Sequence, residues 1–97
     1  MIIRLVKLTI EIDQIESFVE AFNTHKNEIR AFNGCSHLEL LEENNDSGVV
    51  FTYSKWNSQN DLESYRNSNL FKGIWSTVKP MFSAKPEAWS TISKFEV

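Results

Sequence analysis

The sequence is poor in the residues that mark several common classes of protein. Only one of its 97 residues is cysteine, so Cys35 cannot build a disulfide framework or a cysteine-based zinc site. Charged residues interrupt every apolar run well before the roughly 18 residues of a membrane-spanning helix, which argues against a membrane partner. The first residues lack the basic and apolar regions of a secretory signal peptide. We therefore expect a cytoplasmic protein in a reducing compartment.

Basic residues and metal ligands are also scarce. Ten Lys and Arg against thirteen Asp and Glu give a formal net charge of −3, which argues against a nucleic-acid partner. The two histidines, His25 and His37, lack the spacing of a metal-binding pair, so we expect no metal site. The three glycines are scattered and form no phosphate-binding loop. The sequence therefore gives no sign of a bound cofactor.

Large aromatic side chains, in contrast, are abundant. Seven Phe, three Trp and two Tyr make up 12% of the chain. Most of them recur at helical or strand spacing and are expected in the core, but a buried Tyr or Trp also needs a partner for its polar group. A pocket lined by several of these rings would suit a flat aromatic ligand.

The first third of the chain predicts a strand followed by a helix. Residues 2–11 alternate and are rich in β-branched side chains, which is typical of a strand. Asp13 and Glu16 have the form of a capping box, and apolar residues then recur with a period of 3.6. Gly34 is expected to close this helix, because glycine adopts the left-handed conformation at little cost.

The remaining two thirds predict a hairpin, a helical region and a last strand. Residues 35–42 and 49–56 alternate on either side of a polar turn, as in an antiparallel hairpin. A helical region follows, with a break near residues 67–69 and a kink or end at Pro80, which has no amide hydrogen to donate. Residues 89–97 alternate again.

This order, β-α-β-β-(αα)-β, indicates one α+β domain over residues 1–97. It is the ferredoxin-like split β-α-β-β-α-β arrangement, in which helices cover one face of a four-stranded antiparallel sheet. The opposite face would expose Ile3, Leu5, Phe51 and Tyr53, so it needs a second cover. A second copy related by two-fold symmetry is the simplest one, and we therefore expect a homodimer through the open sheet face.

Four polar residues stand out as candidates for chemistry. His25 and Lys26 interrupt the apolar stripe of the first helix; they either form a polar notch in the wall of a pocket or overhang the sheet with the ammonium in water. His37 lies in a strand set that faces a second subunit or a site. Arg4 is either a charge at the end of the sheet or the holder of an anionic ligand group.

The segment from Trp56 to Phe71 carries a recognisable motif. It has the pattern W-x-S-x-x-x-L-E-x-Y-x-x-S-x-x-F, and it resembles the antibiotic biosynthesis monooxygenase (ABM) domain family. The turn at residues 32–35 and the tail at residues 85–89 agree with that resemblance. It implies a dimeric α+β barrel, formed by two such sheets face to face, with an apolar pocket between sheet and helices. Family members include cofactor-independent oxygenases of phenolic or quinol substrates, heme-degrading enzymes and isomerases.

The resemblance also implies positions for heme chemistry, and this chain departs from them. The heme-degrading branch uses Asn, Trp and His at places that correspond to about Val6, Tyr65 and Trp75 here. Valine cannot replace the hydrogen bond of Asn, and tryptophan cannot ligate iron. Canonical heme degradation is therefore not expected.

The leading hypothesis is a cofactor-independent monooxygenase of a small aromatic, phenolic or quinol-like metabolite. His25 or His37 would accept a proton in that reaction. The expected substrate-binding residues are Arg4, Lys26, Trp56, Tyr65, Phe71 and Trp75. Two alternatives remain open: an isomerase or epimerase of a small carbonyl compound, and a non-catalytic dimer that binds a small ligand.

Overall fold

The computed structural model describes all 97 residues. Strands and helices follow one another as the periodicity predicts, in the order β1, α1, β2, β3, α2, α3, β4. The bounds are β1 Ile2–Thr9, α1 Ile15–Arg30, β2 Cys35–Glu42, β3 Val49–Trp56, α2 Gln59–Arg66, α3 Asn69–Val78 and β4 Glu87–Thr91. The predicted α+β class and the ferredoxin-like element order are confirmed.

The four strands form one antiparallel sheet in the order β2-β3-β1-β4. Strand β1 lies in the interior, so that Leu5 faces Tyr53 on one side and Trp89 on the other. Strands β2 and β3 form the predicted hairpin, with an irregularity between Cys35 and His37. Because side chains alternate along a strand, each strand contributes one set of residues to each face of the sheet.

All three helices pack on the same face of the sheet. Residues from β1 and β3, among them Leu8 and Val50, are buried there against Phe18 of α1 and Val78 of α3. A second buried cluster joins Trp56 at the end of β3 to its neighbours: Cys35 and Leu62. Burying each such side chain contributes roughly 1.5–3 kcal/mol, so these two clusters hold the helical layer to the sheet.

Side-chain caps determine where the two short helices, α2 and α3, begin. The backbone N–H of Asp61 donates to Ser58 Oγ at 3.1 Å and begins α2. Ser68 caps α3 in the same way, by accepting from the N–H of Phe71 at 3.1 Å. Pro80 lies just beyond α3, in a 3₁₀ turn, and ends the helical region as predicted.

Four predicted boundaries are wrong. Strand β1 ends at Thr9 rather than at residue 11, and α1 ends at Arg30, with its C-cap at Ala31 rather than next to Gly34. Residues 12–14 form a 3₁₀ turn, so α1 begins only at Ile15 and Asp13 does not cap it. Strand β4 stops at Thr91 rather than continuing to Val97. Thr91 pairs with Ile3, near the beginning of β1, so the strand has almost no partner left beyond that point.

None of the three helices is long and apolar enough to span a lipid bilayer.

Gly34 and Gly73 provide a matched test of the turn after α1. Gly34 has φ +90°, and a Cβ there would collide with the side chain of Asp61, whereas a Cβ on Gly73 in α3 meets open space. We expect Gly34→Ala to lower the free energy of unfolding by about 2 kcal/mol. Gly73→Ala should raise it by about 1 kcal/mol, because alanine is the better helix former. Urea denaturation measures both, and equal shifts in one direction would contradict this account.

Candidate functional site

A cavity of about 380 Å³ lies between the helices and the covered face of the sheet. Fourteen of its 19 lining residues are hydrophobic, so it suits the body of an apolar ligand. The floor is made by strand residues, several of them small: Thr52, Ser54 and Ala88. The walls carry the larger side chains of α1, α2 and α3. Small residues below and large ones around leave the space open.

One wall of the cavity is a continuous series of aromatic rings. The rings of Trp56 and Tyr65 stack with their centroids 4.9 Å apart. Tyr65 meets the edge of Phe71 at 5.3 Å, and Phe71 stacks on Trp75 at 5.6 Å. Each ring is therefore held in place by the next one, and the series as a whole presents a rigid surface to a flat ligand.

Trp56 anchors this series at the sheet. Its side chain is 1% exposed, and its indole N–H donates to Ser54 Oγ at 3.0 Å. The polar group of this buried indole is thus satisfied two residues away on the same strand. Ser54 is itself buried and lines the floor, so the anchor lies inside the site.

Tyr65 presents a phenol group that hydrogen-bonds to no other side chain or backbone group. Burial raises the pKa of this phenol well above its ordinary value, and the nearby Cys35 adds to the effect. Tyr65 therefore keeps its proton at neutral pH and can act as a hydrogen-bond donor.

At one end of the floor, polar side chains form a row across three neighbouring strands. Arg4 on β1 stands between Ser54 on β3 and Ser90 on β4, and its Nη1 donates to Ser90 Oγ at 2.9 Å. No carboxylate lies within 4 Å of the Arg4 guanidinium. Thr52 lies two residues further along β3 on the same face. The rest of the floor is apolar, so the cavity has one polar end.

A second arginine lies at this end of the cavity. Arg66 lines it and forms an ion pair with Glu63 at 3.2 Å. Burial lowers the pKa of Arg4, Arg66 lowers it further, and Glu63 opposes them. The guanidinium of Arg4 remains a cation at neutral pH. No Asp or Glu lines the cavity.

Five of the residues singled out in the sequence line this one cavity: Arg4, Trp56, Tyr65, Phe71 and Trp75. They come from β1, the end of β3 and both short helices. The fold thus brings together residues that are up to 71 positions apart in the sequence.

His25, Lys26 and His37 do not line the cavity. The Nδ1 atom of His25 lies 3.2 Å from Glu28 Oε1 on the surface of α1. Lys26 is exposed beside a separate shallow depression, so the expected polar notch is absent from the cavity wall. His37 lies on the opposite face of the sheet, with its Nε2 atom 2.6 Å from Glu39 Oε1.

Three other residues of the cavity were not predicted from the sequence: Arg66, Ser54 and Thr52. Arg66 directly follows the motif tyrosine, and its place at the cavity depends on how α2 is set against the sheet. The two hydroxyl residues could have been found, because they alternate with Trp56 on β3 and must share its face.

The lining does not fit a heme group. It contains no histidine, cysteine or methionine that could ligate iron, and Tyr65 keeps its proton. The corresponding branch positions at Val6 and Trp75 do line the cavity but offer no ligand. Elsewhere in the chain, no three His, Cys, Asp or Glu side chains come together as a metal site.

Fold and cavity together define a ferredoxin-like α+β domain with an aromatic-walled cavity. The sequence profile of the antibiotic biosynthesis monooxygenase family matches residues 1–74. The chain belongs to that family.

Solved structures share the fold over almost the whole chain. A protein from Nitrosomonas europaea, provisionally named an antibiotic biosynthesis monooxygenase, superposes with a TM-score of 0.90 at 15% identity, covering 98% of this chain and 100% of its own. A conserved protein from Methanosarcina mazei Go1 gives 0.89 at 18% identity, covering 97% and 94%. Rv0793 from Mycobacterium tuberculosis gives 0.87 at 16% identity, covering 98% and 96%.

No functionally curated protein is detectably similar to the chain in sequence.

The buried phenol of Tyr65 gives a stability prediction at alkaline pH. Because its pKa is raised in the folded state, the folded protein keeps a proton that the unfolded chain has already lost. The free energy of unfolding should therefore fall as the pH rises above about 10. Tyr65→Phe should flatten this decline, as measured by urea denaturation between pH 8 and 11 (roughly the range around the free phenol pKa). Equal slopes in both proteins would contradict the assignment.

Proposed function

We propose that the protein is a cofactor-independent monooxygenase of a small aromatic, phenolic or quinol-like metabolite. The observation that carries the proposal is the aromatic-walled cavity with Arg4 at its polar end and no carboxylate beside that guanidinium. The aromatic wall holds the ring of the substrate, and Arg4 holds an oxygen atom of it. Membership of the ABM family supports an oxygenase at the level of the reaction class.

The proposed reaction uses the electrons of the substrate itself. The oxyanion form of the ring passes one electron to dioxygen, and the resulting radical pair combines to form a C–O bond. The hydroperoxide then loses water and leaves a quinone. One oxygen atom of O₂ enters the product, the other leaves as water, and the substrate supplies both electrons and both hydrogens. The protein contributes binding, a cation beside the anion and exclusion of bulk water.

The proposal gives the electrostatic role to Arg4. It gives no role in the cavity to His25, His37 or Lys26, which do not line it. A guanidinium beside a phenol oxygen favours the ionised form of that phenol, because opposite charges stabilise each other at short range. Tyr65 donates its free O–H to the bound substrate or to dioxygen. Trp56, Phe71 and Trp75 hold the plane of the ring.

The two alternative functions have less support from the geometry. An isomerase or epimerase needs a base beside the substrate, and no histidine or carboxylate lines the cavity. A purely ligand-binding protein would use the same cavity. Oxygen consumption separates it from the oxygenase.

We also propose that the chain works as a homodimer through the open face of its sheet. That face carries partly exposed apolar side chains on all four strands, among them Leu5, Leu41, Phe51, Tyr53 and Trp89. The helices of the same chain cannot cover this face, because all of them pack on the opposite one. A second copy would bury it by symmetry. A cytoplasmic location stays a prediction from the sequence.

Arg4→Gln tests the reaction. Dioxygen uptake is followed with a panel of naphthols, hydroquinones and hydroxyquinones. We expect the wild-type protein to consume oxygen with at least one of them, and the variant to lose about a hundredfold or more in kcat/KM, since one charge-assisted contact to a developing charge is removed. Lys72→Gln is the matched control, because it removes an exposed charge from α3 outside the cavity.

The oxygenase proposal would be refuted if, for every compound in the panel, the wild-type protein consumed no more oxygen than a sample without protein. Uptake that Arg4→Gln leaves unchanged would remove Arg4 from it.

Leu5→Glu tests the dimer. A carboxylate in the middle of the open face would be buried without a partner in a sheet-to-sheet dimer, so we expect the variant to be monomeric in analytical ultracentrifugation at concentrations where the wild type is dimeric. Val19→Glu on the exposed side of α1 is the matched control. A wild-type protein that sediments as a monomer at all concentrations would refute the dimer.

A further inference from the structure

The charges around the cavity do not balance. The half-buried Arg4 donates only to the neutral hydroxyl of Ser90. Arg66 at the same end has one carboxylate partner, Glu63, which also accepts a hydrogen bond from Gln59. One positive charge therefore faces the cavity without a counter-charge, in a place where water is partly excluded. A ligand that brings a negative charge would correct this.

The same lining has no group that could take a proton from the ligand. His25 and His37 lie outside it, and Tyr65 keeps its own proton. An ordinary phenol has a pKa near 10, so only about one molecule in a thousand is ionised at pH 7. A carboxylic acid, with a pKa near 4, has already lost its proton in water. The site is thus better matched to a ligand that arrives ionised.

The floor of the cavity also gives the ligand a direction. Arg4 lies between Ser54 and Ser90 on the neighbouring strands, and both Arg4 and Ser54 line the cavity, so the polar groups of the floor are gathered at this end. Towards the other end the floor continues through Val6 and Leu8, which are apolar. An oxygen-bearing end at Arg4 leaves the ring of the ligand over this apolar part, beside the aromatic wall.

We infer that the cavity selects aromatic acids: ring compounds with an oxygen group that is already ionised near neutral pH and that binds the guanidinium of Arg4. Arg66 strengthens the preference from the rim. A carboxylate and an acidic enol of a hydroxyquinone share this chemistry. The inference rests on the proposed function for the place of the substrate, but it concerns the charge of the ligand rather than oxygen chemistry.

Three bicyclic probes of equal ring size test the inference by calorimetric titration of the wild-type protein. They are 2-naphthoate, 2-hydroxy-1,4-naphthoquinone and 2-naphthol. At pH 7 we expect at least one of the two acids to bind tenfold or more tightly than 2-naphthol, the size of effect typical of a hydrogen bond to a charged group. Whichever acid binds more tightly identifies a carboxylate or an enol as the preferred group. The affinity of 2-naphthol should rise with pH towards its own pKa.

Substitutions assign the effect to its residue. Arg4→Gln should weaken binding of the acids by tenfold or more, Arg66→Gln should weaken it less, and Lys72→Gln should leave it unchanged. Equal affinities of 2-naphthoate, the hydroxyquinone and 2-naphthol for the wild-type protein would overturn the inference, and this arm needs no variant to fold. Unchanged acid binding by folded Arg4→Gln protein would overturn it as well.

The outcome is separable from that of the proposed function. If the protein binds the acids but consumes no oxygen, this inference holds and the oxygenase proposal is refuted. If the protein oxidises neutral phenols and binds the acids no more tightly than 2-naphthol, the oxygenase proposal holds and this inference is refuted.

Discussion

The structure depends on a sheet that is apolar on both faces in a chain whose helices cover only one. Strand β1 lies in the interior of the sheet, so its two alternating sets must both find partners. Leu8, and Ile10 just beyond the strand, are buried under the helices, where each is less than 5% exposed. Leu5 faces the other way, between Tyr53 and Trp89, and stays partly exposed. The amphipathic helices and the open face both follow from this division.

The cavity follows from the sizes of the side chains in the two layers. Thr52 and Ala88 are too small to fill the space below the helices, and the rings above them are too large and too firmly stacked to collapse into it. The rings of the wall stay away from the floor because each ring packs against its neighbour in the series. In an ordinary core, an unfilled space of this size would destabilise the fold. An open, partly polar space of this kind therefore indicates a ligand site.

The sequence predicted the fold better than the site for a physical reason. Strand and helix periods are local, so β2, β3 and the break between α2 and α3 appeared where the pattern put them. The position of a helix across a sheet is not local. His25 and Lys26 lie between Phe22 and Ile29 on the same helix, yet only Phe22 and Ile29 reach the cavity. The end of β4 was missed because it depends on how far β1 extends, which β4 itself does not encode.

Arg4 is the residue for which packing alone gives no reason. The half-buried guanidinium loses part of its hydration, and the hydrogen bond to Ser90 replaces some of it. Proteins usually offset this cost with a carboxylate, and the acidic residues of this chain outnumber the basic ones. Glu63 lies near enough to influence Arg4 but forms its ion pair with Arg66. This half-buried arginine has no carboxylate within ion-pair distance, so we interpret it by what it offers to a ligand.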